Sequence, residues 1–256
     1  MIALLPHEIT ANNQINSVIN GDCLEVFPHI QDKSVDLILT DLPYGKTQAT
    51  WDSVVSIEEL WKHFERVAKD GAAFIFTAMQ PFTTYLINSK PEWFRYELIW
   101  VKNKSTGHLN AKKMPMRSHE NVLVFYKSLP KYNPQMTTGH EPLHYAVNEQ
   151  TVLYGKFKSV ESRTGATDRY PKSVLYFDVV NQTERTHETQ KPVELFSYLI
   201  KTFSSPGDIV LDPCAGSGTT AISARNTGRK YILIEKNEKY TKSILNRLQI
   251  QQNIFE

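Results

Sequence analysis

The residues with the clearest potential for chemistry are Asp41-Leu42-Pro43-Tyr44, which follow a short, mostly apolar run from Val35 to Thr40. Such a run predicts a strand that is covered on both faces, and ligands of an open α/β sheet bind beyond the carboxyl ends of its strands. Pro43 has no N–H and fixes φ, so the backbone must turn outward. The turn offers a carboxylate, a carbonyl and an aromatic ring, which suit a flat ring that carries an amino group. An ordinary turn with a solvated aspartate is the alternative, and the tetrapeptide alone leaves both open.

A second motif is the glycine-rich stretch from Asp212 to Thr220, D-P-C-A-G-S-G-T-T, between a predicted strand and a predicted helix. Gly216 and Gly218 permit a tight turn and a close approach of the backbone to a ligand, and the start of the helix presents unpaired N–H groups. Glu235 ends the next predicted strand, 19 residues after Gly216. A carboxylate at this spacing is typical of sites that bond ribose hydroxyls. The motif therefore predicts a ligand of the adenosine type.

The same loop also satisfies the looser pattern G-x-G-x-x-A through Ala221, so a nicotinamide-dependent enzyme is an alternative. Its place in the chain argues against that alternative, because a dinucleotide-binding unit normally opens a six-stranded sheet and here one predicted strand follows. Asp212 lies at the mouth of the loop, where a carboxylate suits a ligand with a positive end better than a pyrophosphate. S-adenosylmethionine (SAM), with its sulfonium and ammonium charges, is such a ligand.

Around these motifs, predicted strands and helices alternate at both ends of the chain. The predicted strands are 15–19, 35–40, 72–77, 96–101, 121–126, 208–212 and 231–235, and the predicted helices are 23–27, 57–68, 81–87, 193–203, 219–226 and 238–249. Ser56 is a candidate N-cap for the second helix, and Gly71 is expected to end that helix. The alternation predicts an α/β fold with a mostly parallel sheet. From Leu129 to Thr186 the periodicity weakens, which predicts an insert.

Composition and charge favour an intracellular protein that faces a polyanion. The chain is 41% hydrophobic and 22% charged, without an apolar run long enough to cross a bilayer. Cys23 and Cys214 are far apart, and no Cys/His cluster has zinc-like spacing, so a cytoplasmic protein without a metal is expected. Residues 102–172 carry 12 Lys/Arg against 5 Asp/Glu, whereas the rest carries 17 against 22. This segment indicates contact with nucleic acid, with Lys112 and Lys113 as phosphate contacts.

Together the two motifs resemble those of the β-class amino-methyltransferases that act on DNA. Residues 41–44 are similar to the catalytic D-P-P-Y motif of that family, with Leu42 in place of the first proline. Residues 212–220 are similar to its D-P-F-x-G-S-G-T-T loop, with Cys214 in place of phenylalanine. Residues 187–192, H-E-T-Q-K-P, resemble the H-P-T-Q-K-P segment that lines the methionine end of SAM, with Glu188 in place of proline.

Shorter stretches extend the resemblance over residues 15–127 and 185–250. Asn20-Gly21-Asp22 resembles a G-D element whose aspartate faces the adenine of the cofactor, and Trp100-Val101-Lys102 and Arg117-Ser118-His119-Glu120 also have counterparts. The family implies a Rossmann-like SAM methyltransferase fold, circularly permuted so that the catalytic motif precedes the SAM loop. It implies a catalytic half at residues 1–128, a target-recognition insert at 129–186 and a SAM-binding half at 187–256.

The resemblance implies methyl transfer from SAM to the exocyclic N6 of an adenine flipped out of double-stranded DNA. Asp41 favours adenine, since relatives that act on cytosine N4 usually begin this motif with serine. Cytosine N4, an RNA or protein substrate, and a DNA-binding protein without catalysis stay open as alternatives.

The expected site residues fall into three groups. The catalytic group is Asp41, Leu42, Pro43 and Tyr44; the cofactor-binding group is Asp22, Thr189, Gln190, Lys191, Asp212, Pro213, Cys214, Gly216, Ser217, Gly218, Thr219, Thr220 and Glu235; and the DNA contacts are Lys102, Lys112, Lys113, Arg117 and His119. A second copy of the chain and a cognate restriction endonuclease are candidate partners, and no membrane contact is expected.

Overall fold

Strands and helices alternate along the chain in the structure, a computed structural model that describes residues 3–43, 56–144, 163–181, 183 and 190–255. The strands are β1 (Ser17–Asn20), β2 (Val35–Thr40), β3 (Ala68–Ala78), β4 (Phe94–Thr106), β5 (Arg117–Phe125), β6 (Val174–Tyr176), β7 (Ile209–Asp212) and β8 (Lys230–Glu235). The helices are α1 (Cys23–Val26), α2 (Ile57–Val67), α3 (Phe82–Ser89), α4 (Val193–Phe203), α5 (Thr219–Asn226) and α6 (Glu238–Phe255). Each predicted element is present, and β2, α4 and α5 have the predicted bounds.

The strands of the described residues form one eight-stranded sheet in the order β1-β8-β7-β2-β3-β5-β4-β6. Neighbours pair in parallel, except that β5 runs antiparallel to both β3 and β4. The expected α/β fold with a mostly parallel sheet is therefore confirmed. So is the permuted order, because β2 lies directly beside β7 although the catalytic motif precedes the glycine loop in the chain. Strand β6 was not predicted, because three residues are too few to establish a period.

Strand β2 is buried on both faces of the sheet, and it contributes alternate side chains to the two apolar clusters. Ile38 packs in the cluster that includes Trp61 and Phe64 of α2. Leu37 and Leu39 pack in the cluster that includes residues of α4, α5 and α6. Full burial of such a side chain contributes about 1.5–3 kcal/mol. The strand that leads to Asp41 is therefore fixed from both sides.

Among the residues described, no helix is both long and apolar enough to cross a membrane.

Helix α2 begins as predicted but ends earlier than predicted. The hydroxyl of Ser56 accepts a hydrogen bond from the backbone N–H of Glu59 at 3.3 Å, which caps the helix. The prediction that Gly71 ends this helix is wrong, because Gly71 lies inside β3 with a φ of +79°. Ala68 already pairs with Val35 of β2, so the chain becomes extended three residues before the glycine.

Three carboxylates and the start of β5 lie where the parallel strands end, an edge of the sheet called the carboxyl edge below. Asp41 follows β2, Asp212 ends β7 and Glu235 ends β8. Because β5 is antiparallel to its neighbours, its first residues, Arg117 to Glu120, lie at this same edge. The fold therefore brings the predicted catalytic and cofactor-binding motifs to one edge of the sheet.

The chain divides into two compact units. The larger comprises residues 1–133 and 173–256 and contains the sheet, and the smaller comprises residues 134–172. Within the described part of the smaller unit, Thr137 and Arg169 exchange backbone hydrogen bonds of 3.0 and 2.8 Å, and Arg163 forms an ion pair with Asp168. The division at residues 128/129 and 186/187 and the target-recognition role of the insert stay predictions.

Candidate active site

Asp41 lies just beyond β2 with both carboxylate oxygens engaged. The hydroxyl of Thr77, near the end of β3, donates to Oδ1 at 2.5 Å, and the ammonium of Lys191 donates to Oδ2 at 2.6 Å. The next residue, Leu42, buries its side chain in the apolar core, which anchors the turn, and Pro43 is half-buried. Tyr44 lies outside the described residues. The carboxylate is thus held in place while its side chain stays 20% exposed.

Lys191 joins the catalytic motif to the glycine loop. Its Nζ bonds Asp41, while its backbone carbonyl accepts a hydrogen bond of 3.1 Å from the hydroxyl of Thr219, the first residue of α5. One residue therefore touches both predicted motifs. Gln190, just before it, is half-buried, and Thr189 lies outside the described residues.

A buried row of alternating charges continues from Asp41 into the sheet. The ammonium of Lys191 lies 3.4 Å from Oε2 of Glu120, and Lys102 donates to Oε1 of Glu120 at 3.2 Å. The side chains of Lys191, Glu120 and Lys102 are only 9%, 10% and 3% exposed. Lys102 was predicted to contact DNA, but the structure places its ammonium in the interior. The row contains two carboxylates and two ammonium groups, so its charges balance.

Two members of this row, Glu120 and Lys191, have pKa values that their neighbours shift. Burial alone would raise the pKa of Glu120, but the ammonium groups of Lys191 and Lys102 hold it below its ordinary value. Burial alone would lower the pKa of Lys191, but the carboxylates of Asp41 and Glu120 raise it above its ordinary value. Both groups are therefore ionised at neutral pH, as buried charges require partners of opposite sign.

The glycine loop has the backbone that its sequence predicts. Gly216 and Gly218 have φ values of +51° and +74°, a region that glycine adopts at little cost. A Cβ on Gly218 would lie 2.8 Å from Cγ2 of Ile244, so the loop packs tightly against α6 at this point. Ser217 and Thr219 have hydroxyl oxygens 3.0 Å apart. The loop is therefore a narrow, hydroxyl-bearing turn at the start of α5.

Two buried carboxylates flank this loop. Oδ1 of Asp212 accepts a hydrogen bond of 3.1 Å from the N–H of Cys214, and its Oδ2 accepts one from the hydroxyl of Thr220. Pro213 lies between Asp212 and Cys214 in the sequence and is buried. Burial raises the pKa of Asp212 to about 6, although these hydrogen bonds oppose the change. Glu235 accepts the N–H groups of Gly216 and Asn237, each at 2.8 Å. Burial raises the pKa of Glu235 to about 7, although the hydrogen bonds from these two N–H groups oppose the change.

Asp22 lies at the end of β1, next to β8, and caps helix α1. Its Oδ1 accepts a hydrogen bond of 3.0 Å from the N–H of Leu24, and its Oδ2 accepts a hydrogen bond of 2.9 Å from the ammonium of Lys236. Burial would raise the pKa of Asp22, but these two donors hold it below its ordinary value. The carboxylate is therefore ionised at the carboxyl edge, close in the sheet order to Glu235.

The remaining predicted DNA contacts lie on one exposed hairpin, residues 104–119, called the basic hairpin below. Lys112, Lys113, Arg117 and His119 are all exposed. The ladder of β4 and β5 extends as far as Thr106 paired with Arg117, and a short 3-10 turn, His108–Asn110, forms the tip. No Asp or Glu occurs within residues 104–119. The hairpin is thus a positively charged projection from the carboxyl edge.

Two members of the site were missed by sequence reasoning alone. The sequence places Thr77 in a strand without a functional role, and it allows Glu120 either a contact with DNA or the target base or a place in a solvated lead-in to a strand, whereas the structure buries Glu120 between Lys102 and Lys191. A polar residue at the end of a buried strand was the available signal for Thr77.

Among the residues described, no group of three or more His, Cys, Asp or Glu side chains could hold a metal ion.

Comparisons with known proteins place this geometry in context. Residues 35–246 match a family model described as DNA methylase. The chain is 31% identical to the Type II methyltransferase M1.MboII of Moraxella bovis over 93% of this chain and 99% of that protein. It is 29% identical to the DNA adenine methyltransferase YhdJ of Escherichia coli (strain K12) over 93% of this chain and 84% of that protein. The crystal structure of an M1.HpyAVI–SAM complex has the same fold, with a TM-score of 0.64, 22% identity, and 90% and 98% of the two chains covered.

Proposed function

Because the chain belongs to the DNA methylase family, which its residues 35–246 match, we propose that it transfers a methyl group from SAM to the exocyclic N6 of an adenine in double-stranded DNA. The observation that carries this proposal is the double contact of Lys191. Its ammonium is 2.6 Å from Asp41 and its carbonyl is 3.1 Å from the hydroxyl of Thr219. A base at Asp41 and a cofactor at the glycine loop would therefore be neighbours.

The residues at the carboxyl edge fit SAM. Gly216 and Gly218 allow close approach to the loop, and the carboxylate of Glu235 has lone pairs left over for ribose hydroxyls beyond the two backbone bonds that it accepts. The Asp212 carboxylate gives this region negative charge, which suits a ligand with a sulfonium and an ammonium group. When bound, SAM supplies a methyl group that is already electrophilic, and the chain's own residues have to present the nucleophile.

The catalytic turn would present the target amine. Asp41 and the backbone carbonyl of Leu42 would accept the two amine hydrogens, which directs the nitrogen lone pair away from the ring. The proton that the amine loses would pass to Asp41 or to water, and such general base assistance contributes about 10²–10⁴ in rate. Tyr44, outside the described residues, is proposed to stack on the flipped base, which stabilises it by roughly 1–3 kcal/mol.

Adenine is the proposed target because the motif begins with Asp41 and because a relative of the chain is an adenine methyltransferase by name. The test is incubation of the purified protein with duplex DNA and methyl-labelled SAM, followed by digestion and separation of nucleosides. N6-methyladenine is expected, and Asp41→Ala should abolish it while SAM still binds. Label in N4-methylcytosine, or equal activity of Asp41→Ala and the parent, would contradict the proposal. A parallel assay with RNA separates the two polymers.

The finer assignments are proposals as well. We propose that residues 129–186 read the target sequence, that the basic hairpin contacts phosphates, and that the protein acts beside a cognate restriction endonuclease of the same recognition sequence. A second copy of the chain is the other proposed partner. Mapping methylated adenines in DNA from a host that expresses the chain would give the recognition sequence, and sedimentation of the protein with and without DNA would test for a dimer.

A further inference from the structure

One oxygen of the buried Glu120 carboxylate is left without a hydrogen bond. Its Oε1 accepts a hydrogen bond from Lys102, but its Oε2 is buried and has no hydrogen-bond partner within the part of the chain that is described. Lys191 Nζ is 3.4 Å away, beyond the normal range of an N–H···O bond. Buried acceptors without a donor are rare in folded proteins, and each one calls for an explanation.

The nearest donor is engaged elsewhere. Lys191 Nζ lies 2.6 Å from Oδ2 of Asp41 and 3.4 Å from Oε2 of Glu120. A shift of the ammonium by about 1 Å, away from Asp41 and toward Glu120, would bring it within hydrogen-bond distance of Oε2 and break its hydrogen bond to Asp41. A lysine side chain has four rotatable bonds, so such a shift needs no movement of the backbone. Thr77 and Lys102 meanwhile hold the two carboxylates in place.

We propose that Lys191 moves its ammonium from Asp41 to Glu120 when the target base binds. This inference rests on the proposed function, in which the amine of the base needs an acceptor on Asp41. The ammonium of Lys191 and the amine compete for that carboxylate. This transfer removes the competition and keeps the ammonium of Lys191 paired, because Lys191 exchanges one carboxylate for another, while Asp41 keeps the hydroxyl of Thr77 and gains the amine of the base. Glu120 and Lys191 are thus positioning residues, and Asp41 remains the group that touches the substrate.

The variant Glu120→Gln keeps the shape of the side chain and removes its charge. Lys191 should then stay on Asp41, so kcat should fall by about tenfold or more, the size expected when a charged hydrogen bond is lost. The KM for SAM should change by less than about twofold, because the glycine loop is untouched. Equal kcat for this variant and the parent would overturn the inference. The matched control is Glu97→Gln, which removes a β4 carboxylate that bonds Asn121 rather than Lys191, and it should leave kcat unchanged.

The double variant Glu120→Gln/Lys191→Met distinguishes two roles of Lys191: an ammonium that must leave Asp41 for Glu120, and a fixed ion-pair partner that Asp41 needs throughout. If Lys191 blocks Asp41 once Glu120 has lost its charge, removing the ammonium should raise kcat by at least about threefold above that of Glu120→Gln alone. A support that Asp41 needs would give the opposite result, with a double variant as slow as, or slower than, Glu120→Gln. Rates are expressed per SAM-binding site, measured by titration, so that misfolded protein does not enter the comparison.

A structural measurement tests the same inference without turnover. In a crystal of the parent protein with duplex DNA and S-adenosylhomocysteine, Lys191 Nζ should lie within about 3.2 Å of Glu120 Oε2 and should no longer donate to Asp41. A retained bond between Lys191 and Asp41 beside a bound base would overturn the inference. Failure of the parent to methylate adenine would instead contradict the proposed function, so the two failures are distinguishable.

Discussion

The backbone N–H of Gly216 donates a hydrogen bond of 2.8 Å to Oε2 of Glu235, which ties the glycine loop after β7 to the end of β8. The other carboxylate oxygen accepts the N–H of Asn237 at the same distance. One buried side chain therefore fixes the loop and the start of the last helix together. Because the same carboxylate is the proposed acceptor for ribose hydroxyls, its protonation should lower the affinity of the protein for SAM.

We expect SAM to bind more weakly as the pH falls through about 7. Burial raises the pKa of Glu235 to about 7, so the carboxyl group becomes protonated below that pH and loses acceptor strength toward hydroxyls. Linkage to one proton predicts a Kd that rises by up to about tenfold per pH unit below this point. Calorimetric titration of SAM over a pH series measures it.

Two variants assign the pH dependence to its groups. Glu235→Gln should remove the change near pH 7, whereas Asp212→Asn should remove a second change near pH 6, where the pKa of Asp212 lies. The free energy of unfolding depends on pH in the opposite direction to the affinity for SAM. Folded Glu235 keeps its proton up to about pH 7, but the unfolded chain releases it near 4.5, so stability is lost as the pH rises between these values. A binding change near pH 7 that survives in Glu235→Gln would contradict the assignment.

Gly218→Ala should destabilise the protein by about 2 kcal/mol or more, because alanine is strained at a φ of +74° and its Cβ would meet Ile244 at 2.8 Å. Urea unfolding measures the change. Gly207→Ala is the control, since Gly207 has a φ of +86° but nothing within 4 Å of the added Cβ, so it isolates the backbone cost of about 1 kcal/mol. Equal losses in the two variants would show that the contact with Ile244 does not matter.

Removing the two lysines of the basic hairpin should weaken DNA binding in a salt-dependent way. For Lys112→Ala/Lys113→Ala, the slope of log K against log salt should become less steep by about 1–2, because each phosphate contact contributes about 0.9. Fluorescence anisotropy at several salt concentrations gives the slope. The control, Lys62→Ala/Lys230→Ala, removes the same charge from exposed lysines of α2 and of the amino end of β8. If the control changes the slope equally, the hairpin is not the contact.

Thr77→Val should lower kcat by about three- to tenfold, because Asp41 would lose the hydroxyl that donates to Oδ1 at 2.5 Å and would be held less firmly. SAM affinity should stay unchanged, since Thr77 does not bond the glycine loop in the described structure. Single-turnover methylation measures the effect. Thr202→Val removes another buried threonine hydroxyl, one that bonds the carbonyl of Tyr198 within α4, and should affect stability without affecting kcat.

Much of the fold followed from local patterns. The apolar run of β2 and the periodicity of α4 and α5 predicted bounds that the structure reproduces. A buried strand or helix face requires apolar residues at fixed spacing within a short segment, so the pattern is visible locally. The glycine loop was equally local, since positive φ angles at Gly216 and Gly218 are a property of the residue type. Even the error at Gly71 shows the limit of such reasoning, because pairing of Ala68 with Val35 set the end of the helix.

The sequence by itself therefore determined seven of the eight strands, the helices, the two motifs and the family that they resemble. Only the tertiary structure decided that Lys191 bonds Asp41, that Glu120 lies behind it, and that Lys102 is an interior ion-pair partner rather than an exposed cation. The reason is physical. These contacts depend on the order and register of β2, β3, β5 and β4. The order of the strands arises from packing between segments that are distant in the sequence, so the residue pattern within one strand does not reveal which strand lies beside it.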